Sequence, residues 1–153
     1  MLFRSDKLVQ AYKYGHKLAL AGYFARQFSS ARWPPDADLL LPLPLHAKRL
    51  QERGFNQALE IGRHLARRTG MPLASAVCLR TRNTAPQADL HWRERAKNMR
   101  NAFSCTTDLS GKHVILIDDV LTTGASVGEC ARTLKLHGAA RVTVGVVART
   151  IIN

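Results

Sequence analysis

The sequence predicts an α/β fold in which a central parallel sheet is flanked by helices. Three observations carry this. Short, almost continuously apolar runs at residues 38–42, 73–79, 113–117 and 141–148 have the composition of strands buried on both faces. Stretches with apolar residues at helical spacing lie between them, and strand–helix alternation implies right-handed crossovers and parallel pairing. The run 113–117 ends in two adjacent carboxylates, Asp118 and Asp119, followed by a small, hydroxyl-rich turn, Thr122-Thr123-Gly124-Ala125-Ser126.

Taken in order, Ser5 is placed to cap a helix that runs, with a break at Gly15, to about Phe28. Leu8, Tyr12, Leu20, Phe24 and Phe28 give it one apolar face. Trp33-Pro34-Pro35 reads as a rigid connector, because two prolines exclude helix and sheet interior alike. Residues 38–42 then form a strand ended by Pro42 and Pro44. After a polar turn at Arg53-Gly54, Asn56 caps a helix reaching Thr69, with Ala58, Ile61, Leu65 and Ala66 as its stripe and Gly70 at its end. Residues 73–79 supply a further strand. Residues 80–103 are polar, basic and poor in strand pattern; with a helix over 90–99 they read as a mobile lid. Strand 113–117, helix 127–137 with Ser126 as candidate cap and Gly138 as its stop, and strand 141–148 complete one domain spanning 1–153.

The chain has 153 residues and a formal net charge of +12. No apolar run approaches the ~20 residues a membrane span needs, and the N-terminus lacks a secretory layout, so a cytoplasmic protein with no membrane partner is expected. Cys78, Cys105 and Cys130 are scattered without a C-x-x-C spacing, and read as buried thiols rather than disulfides or zinc ligands. Lys and Arg concentrate at 48–68 and 80–100, which points to a polyanionic partner: a diphosphorylated small substrate or nucleic acid. There is no P-loop, no dinucleotide fingerprint and no histidine spacing for a metal.

Ligands of parallel sheets sit beyond the carboxyl ends of the strands. The loops after Leu41, Leu79 and Ile117 are therefore expected to converge on one crevice. Ionised Asp is an acceptor suited to vicinal hydroxyls, and a turn leading into a helix presents backbone amides to a phosphate. Acid pair and turn together describe a holder for a sugar 5-phosphate. Lys48, Arg49 and Arg53 supply donors for a diphosphate.

The acid–turn segment resembles the phosphoribosyl pyrophosphate (PRPP) motif of type I phosphoribosyltransferases. Four further stretches extend the resemblance: Pro42-Leu-Pro44-Leu45-His46, Arg53-Gly-Phe-Asn-Gln57, Arg80-Thr-Arg82-Asn-Thr84-Ala-Pro-Gln87, and Arg95-Ala-Lys-Asn98 with Asn101-Ala102-Phe103. In that order they are similar to the ComF/GntX-like phosphoribosyltransferase family. The resemblance implies a type I phosphoribosyltransferase-like fold with a small hood at 1–35, a core at 36–153 and a flexible lid. It implies that Asp118 and Asp119 meet the ribose hydroxyls, and that Thr122, Thr123, Gly124, Ala125 and Ser126 wrap the 5-phosphate. Leu45, His46, Lys48, Arg49, Arg53, Arg80, Arg82 and Arg95 would hold the pyrophosphate or close the lid. Mg2+ would arrive with PRPP, with Asp118 and Asp119 the side chains nearest to it. The zinc ribbon that often precedes this domain in the family is missing from this sequence, so no zinc is expected.

The activity implied is transfer of 5-phosphoribosyl with release of pyrophosphate, to an acceptor that no residue here names. Single-stranded DNA, competence-machinery proteins and a second copy of the chain are the further partners the family suggests. A different reading keeps a PRPP pocket in a non-catalytic nucleic-acid-binding or regulatory module.

Overall fold

The computed structural model describes residues 19–30, 33–84 and 92–149, with the side chains of residues 19, 20, 29, 92, 93, 95 and 96 outside the description. In chain order its elements are α1 (Ala19–Ser29), β1 (Leu39–Pro42), α2 (Ala47–Arg53), α3 (Gln57–Thr69), β2 (Cys78–Arg80), α4 (Trp92–Met99), β3 (Phe103–Cys105), β4 (His113–Leu121), α5 (Ala125–Leu136) and β5 (Arg141–Arg149). The proposed cap Ser5, the break at Gly15 and the contacts of Leu8, Tyr12 and Leu20 lie outside the described residues.

Strands β1, β4 and β5 form a parallel sheet with β4 in the middle, Leu39 beside Val114 and Ile117 beside Gly145. A central strand covered on both faces needs apolar residues in both phases. Val114 and Leu116 pack with Val127, Cys130 and Leu134 of α5, whereas Ile115 and Ile117 pack with Phe24 and Phe28 of α1 and with Ile61 and Leu65 of α3. The expected α/β layering is therefore the observed one.

Helix α3 starts as its sequence requires. Asn56 Oδ1 accepts from the N–H groups of Ala58 (3.0 Å) and Leu59 (3.3 Å), while its Nδ2 donates to the Leu43 carbonyl at 3.1 Å. One side chain thus caps the helix and fixes the chain leaving β1. At the far end of the sheet, Asp38 accepts the His113 N–H at 2.7 Å, and Asp36 pairs with Arg141 at 2.9 Å and His113 at 3.3 Å. These bonds fasten the starts of all three strands.

Four expectations need correction. The run 73–79 is not one strand of the parallel sheet: Leu73 makes a single bridge to Leu40, and the chain then turns before β2, which pairs antiparallel with β3. Ala74-Ser75-Ala76 offers no branched or aromatic side chain to sustain a strand. Residues 47–53 form a helix where a turn was expected; Ala-Lys-Arg-Leu-Gln-Glu-Arg are strong helix formers, but none is buried, so no apolar stripe announces it. Strand β4 continues through both acids to Leu121 rather than stopping at Ile117. Helix α5 begins at Ala125, two residues early, with Gly124 and not Ser126 at the cap position.

Gly145 on β5 marks the closest approach in the core. A Cβ there would lie 2.7 Å from Trp33 Cη2 and 3.0 Å from Phe28 Cε1. Those rings stack at 5.6 Å, and Trp33 Nε1 donates to the Phe28 carbonyl at 2.8 Å, so the indole is not free to swing away. Gly145→Ala is expected to cost about 2 kcal/mol by overpacking, read as a fall in the urea midpoint with an unchanged slope.

Candidate functional site

Strand β4 carries both acids beyond Leu116 and Ile117, and the strict alternation of its two faces is lost across them: Val120 packs with the Ile117 cluster and Leu121 with the Leu116 cluster. Asp118 belongs with residues 120–127 to the lining of a small pocket of about 50 Å3, and Asp119 does not. Asp119 is only 7 % exposed and accepts the Val120 N–H at 2.8 Å. Asp118 in turn accepts the Asp119 N–H at 2.8 Å.

The wall opposite Asp118 is the turn into α5. Gly124 sits in the left-handed region at φ 77°, and a Cβ there would meet only Leu121 at an ordinary 3.5 Å. Glycine is therefore required by conformation, not by space. The cap residue Gly124 offers no side chain to α5, so the Ser126 and Val127 N–H groups, with no partner among the described residues, are available to an anion. Thr123 Oγ1 lies 3.4 Å from the Ala125 N–H. The Ser126 hydroxyl leans the other way, toward the Met99 sulfur at 3.8 Å.

Cations gather beside this pocket. Arg80 is 9 % exposed; its Nη2 donates to Thr84 Oγ1 and to Met99 Sδ (3.5 Å), and its head lies 5.7 Å from the centre of the Phe103 ring. Burial first, then the charges of Arg49 and Arg53, push its pKa down to about 10, against the favourable charge of Asp118. Arg49 Nη2 donates to the Thr84 carbonyl at 2.9 Å, so Thr84 braces two guanidiniums. Arg80 Nε and Asn98 Nδ2 are buried donors without an acceptor among the described residues. A site with donors left over and three guanidiniums near one carboxylate is chemically suited to a polyanion.

The base of the 85–91 segment is fastened at both sides. The Thr81 N–H bonds the Ala102 carbonyl at 2.9 Å, and Arg82 Nη1 bonds the Arg100 carbonyl at 2.7 Å. Asn101, at φ 57°, donates its N–H to Glu129 Oε1 at 2.8 Å and accepts from Arg132 at 3.1 Å, which explains an Asn at a left-handed position. Of the sequence-derived site residues, Asp118, Thr122 to Ser126, Arg49, Arg53 and Arg80 thus come together. Asp119 is buried and is not part of the pocket lining. His46 uses Nδ1 to accept the Lys48 N–H at 3.2 Å as the cap of α2; Leu45 precedes it, and Lys48 is exposed on that helix. Arg82 is committed to the base of the segment, and the Arg95 side chain and Gln87 lie outside the described residues. Thr84, Asn98 and Met99 were not assigned roles in advance; nothing in a lone Met or Thr signals a brace.

A larger hollow of about 440 Å3 lies at the other end of α5, lined in part by Thr106, Asp108, Ser110 and His137. It contains no Lys or Arg and so does not match a phosphorylated sugar. Among the described residues no group of three or more His, Cys, Asp or Glu is placed to hold a metal ion, and no helix is long and apolar enough to cross a membrane.

A parallel sheet whose middle strand carries two acids near its carboxyl end, followed by a glycine-turned helix start, is the type I phosphoribosyltransferase architecture. Residues 56–151 match the phosphoribosyl transferase domain family, and the chain belongs to that family, in its ComF-like branch. It is 38% identical over 117 residues to the DNA utilization protein YhgH of Salmonella typhi, covering 76% of this chain and 52% of that protein. It is 31% identical over 115 residues to Competence protein F of Haemophilus influenzae, covering 73% of this chain and 50% of that protein. The chain therefore spans about half the length of these curated relatives. Among solved structures, the glutamine PRPP amidotransferase from B. subtilis superposes with a TM-score of 0.53 at 19% identity, covering 83% of this chain and 25% of that one; the likeness is one of fold.

Proposed function

We propose that this chain binds PRPP and acts as a phosphoribosyltransferase that releases pyrophosphate. The observation carrying the reading is the buried, donor-surplus Arg80 beside Arg49, Arg53 and Asp118, next to an uncapped helix start. In this reading the amides and hydroxyls from Thr122 to Ser126 take the 5-phosphate, as helix starts commonly do. The Asp118 carboxylate accepts from the ribose hydroxyls, and Arg80, Arg49 and Arg53 take the diphosphate. Charge leaves the sugar with the diphosphate, so guanidiniums on one side and a carboxylate on the other favour the separated state more than the ground state. The residues fit Mg2+ as well, since a hard cation is commonly held by substrate phosphates plus one or two carboxylates, and Asp118 is an acid lining the pocket. Bound there, it would neutralise the leaving diphosphate. Asp119, buried and accepting the Val120 N–H, holds the end of β4 in shape.

The test is calorimetric titration of PRPP with Mg2+, followed by a pyrophosphate-release screen over nucleobases and single-stranded DNA. Saturable PRPP binding is expected. The name DNA utilization protein given to the relatives motivates a second arm: oligonucleotide binding with a steep salt slope and no PRPP binding would replace this reading with the nucleic-acid one.

A further inference from the structure

Three thiols share the core cluster beneath the site: Cys78 on β2, Cys105 on β3 and Cys130 on α5. The sulfurs of Cys78 and Cys130 are 3.8 Å apart, although 52 positions separate them in sequence. Cys105, opposite Cys78 in the ribbon, instead turns its sulfur to the Thr107 carbonyl at 3.3 Å. We infer that Cys78 and Cys130 form a reversible disulfide site linking the strand that carries Arg80 to the helix that follows the phosphate turn.

The geometry needs one adjustment. A disulfide holds its sulfurs about 2.05 Å apart, so this pair must close by about 1.8 Å. Cys78 lies on a three-residue strand paired with an equally short β3, the least anchored of the sheet elements described. Movement of β2 toward α5 is thus the cheaper route. The two thiols share a hydrogen bond in which either sulfur can donate, and either sulfur can open the reaction, Cys78 for instance. With hydrogen peroxide as oxidant, the Cys78 sulfur attacks one peroxide oxygen and water leaves, giving a sulfenic acid. The Cys130 sulfur then attacks the Cys78 sulfur, forming the S–S bond and expelling a second water. Both sulfurs are oxidised, and the two peroxide oxygens are reduced to two waters. Exposures of 1 % and 0 % exclude a bulky disulfide such as oxidised glutathione, and hydrogen peroxide reaches the sulfurs only when the short β2–β3 ribbon opens.

The consequence for ligand rests on the function proposed above. Arg80 is two residues from Cys78, and displacing it from Asp118 is expected to weaken PRPP binding at least threefold in the oxidised form. The experiment treats the folded chain with hydrogen peroxide, blocks remaining thiols, and maps peptides without reduction. A cross-link joining residues 78 and 130 is expected, with a thermal midpoint raised by roughly 5–10 °C and restored by dithiothreitol. Cys78→Ala and Cys130→Ala should each abolish it, and Cys105→Ala should not. No cross-link in folded protein, a link through Cys105, or sulfinic acid on one cysteine overturns the inference. Titrating PRPP with Mg2+ against both forms separates the ideas: binding to neither form sinks the proposed function and leaves the mapped cross-link standing. Equal affinity for both forms overturns the coupling to the site.

Discussion

Asp118→Asn is expected to weaken PRPP binding about 100-fold, while Asp119→Asn changes it less than about tenfold and instead lowers stability. The two residues are adjacent and chemically identical, so the contrast comes from strand geometry alone. Asp118 lines the pocket with the turn residues, and its charge is the one that favours protonated Arg80. Losing it removes charge-assisted acceptance from two ribose hydroxyls, and each such bond is worth about 1.5–3 kcal/mol. It also leaves Arg80 facing Arg49 and Arg53 without its compensating charge. Asp119, at 7 % exposed, accepts the Val120 N–H, and an amide in that place buries extra donors. A cost of about 1–2 kcal/mol follows, which for a chain of this size lowers the thermal midpoint by roughly 2–8 °C. Titration calorimetry and thermal denaturation on both variants decide it. Equal loss of affinity, or a larger loss at Asp119, would remove the geometric basis for assigning the sugar to the α5 face.

How far the sequence went is clearest at that pair. The strand, the acids and the glycine turn were all legible, because an apolar run, a carboxylate pair and a Thr-Gly turn are each local signals. Which acid enters the pocket was not, since it depends on where β4 ends. Apolarity stops at Ile117, but backbone pairing to β5 continues to Leu121, and the two faces change phase within the acids, with Val120 on the Ile117 side and Leu121 on the Leu116 side. Asn56 and Gly70 marked both ends of α3 correctly, as capping chemistry is local. Helix α2 was missed because its evidence is propensity without burial. The ribbon of β2 and β3 was missed because three-residue strands carry too little pattern, and their pairing joins residues on either side of the basic stretch. The crevice survived that error. Arg80 reaches the site by way of the ribbon rather than from the parallel sheet, because antiparallel pairing with β3, which packs on α5, holds β2 beside that helix.

Arg80→Met is expected to stabilise the protein without ligand and to abolish its response to pyrophosphate. A group whose folded pKa is depressed to about 10 is bound less well in its charged form by the folded state, so the penalty is present at every pH below about 10 and is relieved only as pH rises above that value. At neutral pH the whole penalty stands. A thioether chain of similar reach fills the space over Phe103, loses the bonds to Thr84 and Met99, and carries no charge against Arg49 and Arg53. Removing the buried charge relieves its desolvation and its repulsion from Arg49 and Arg53, which outweighs the lost attraction of Asp118, and a gain of about 1.5 kcal/mol lifts the midpoint by roughly 3–6 °C. Pyrophosphate with Mg2+ should raise the wild-type midpoint and leave the variant unmoved, since the anion stabilises only the form that binds it. Arg80→Lys, which keeps the charge but not the planar fork, should fall between them. A variant less stable than wild type that still answers to pyrophosphate would show that Arg80 is a structural cation, with the diphosphate held elsewhere.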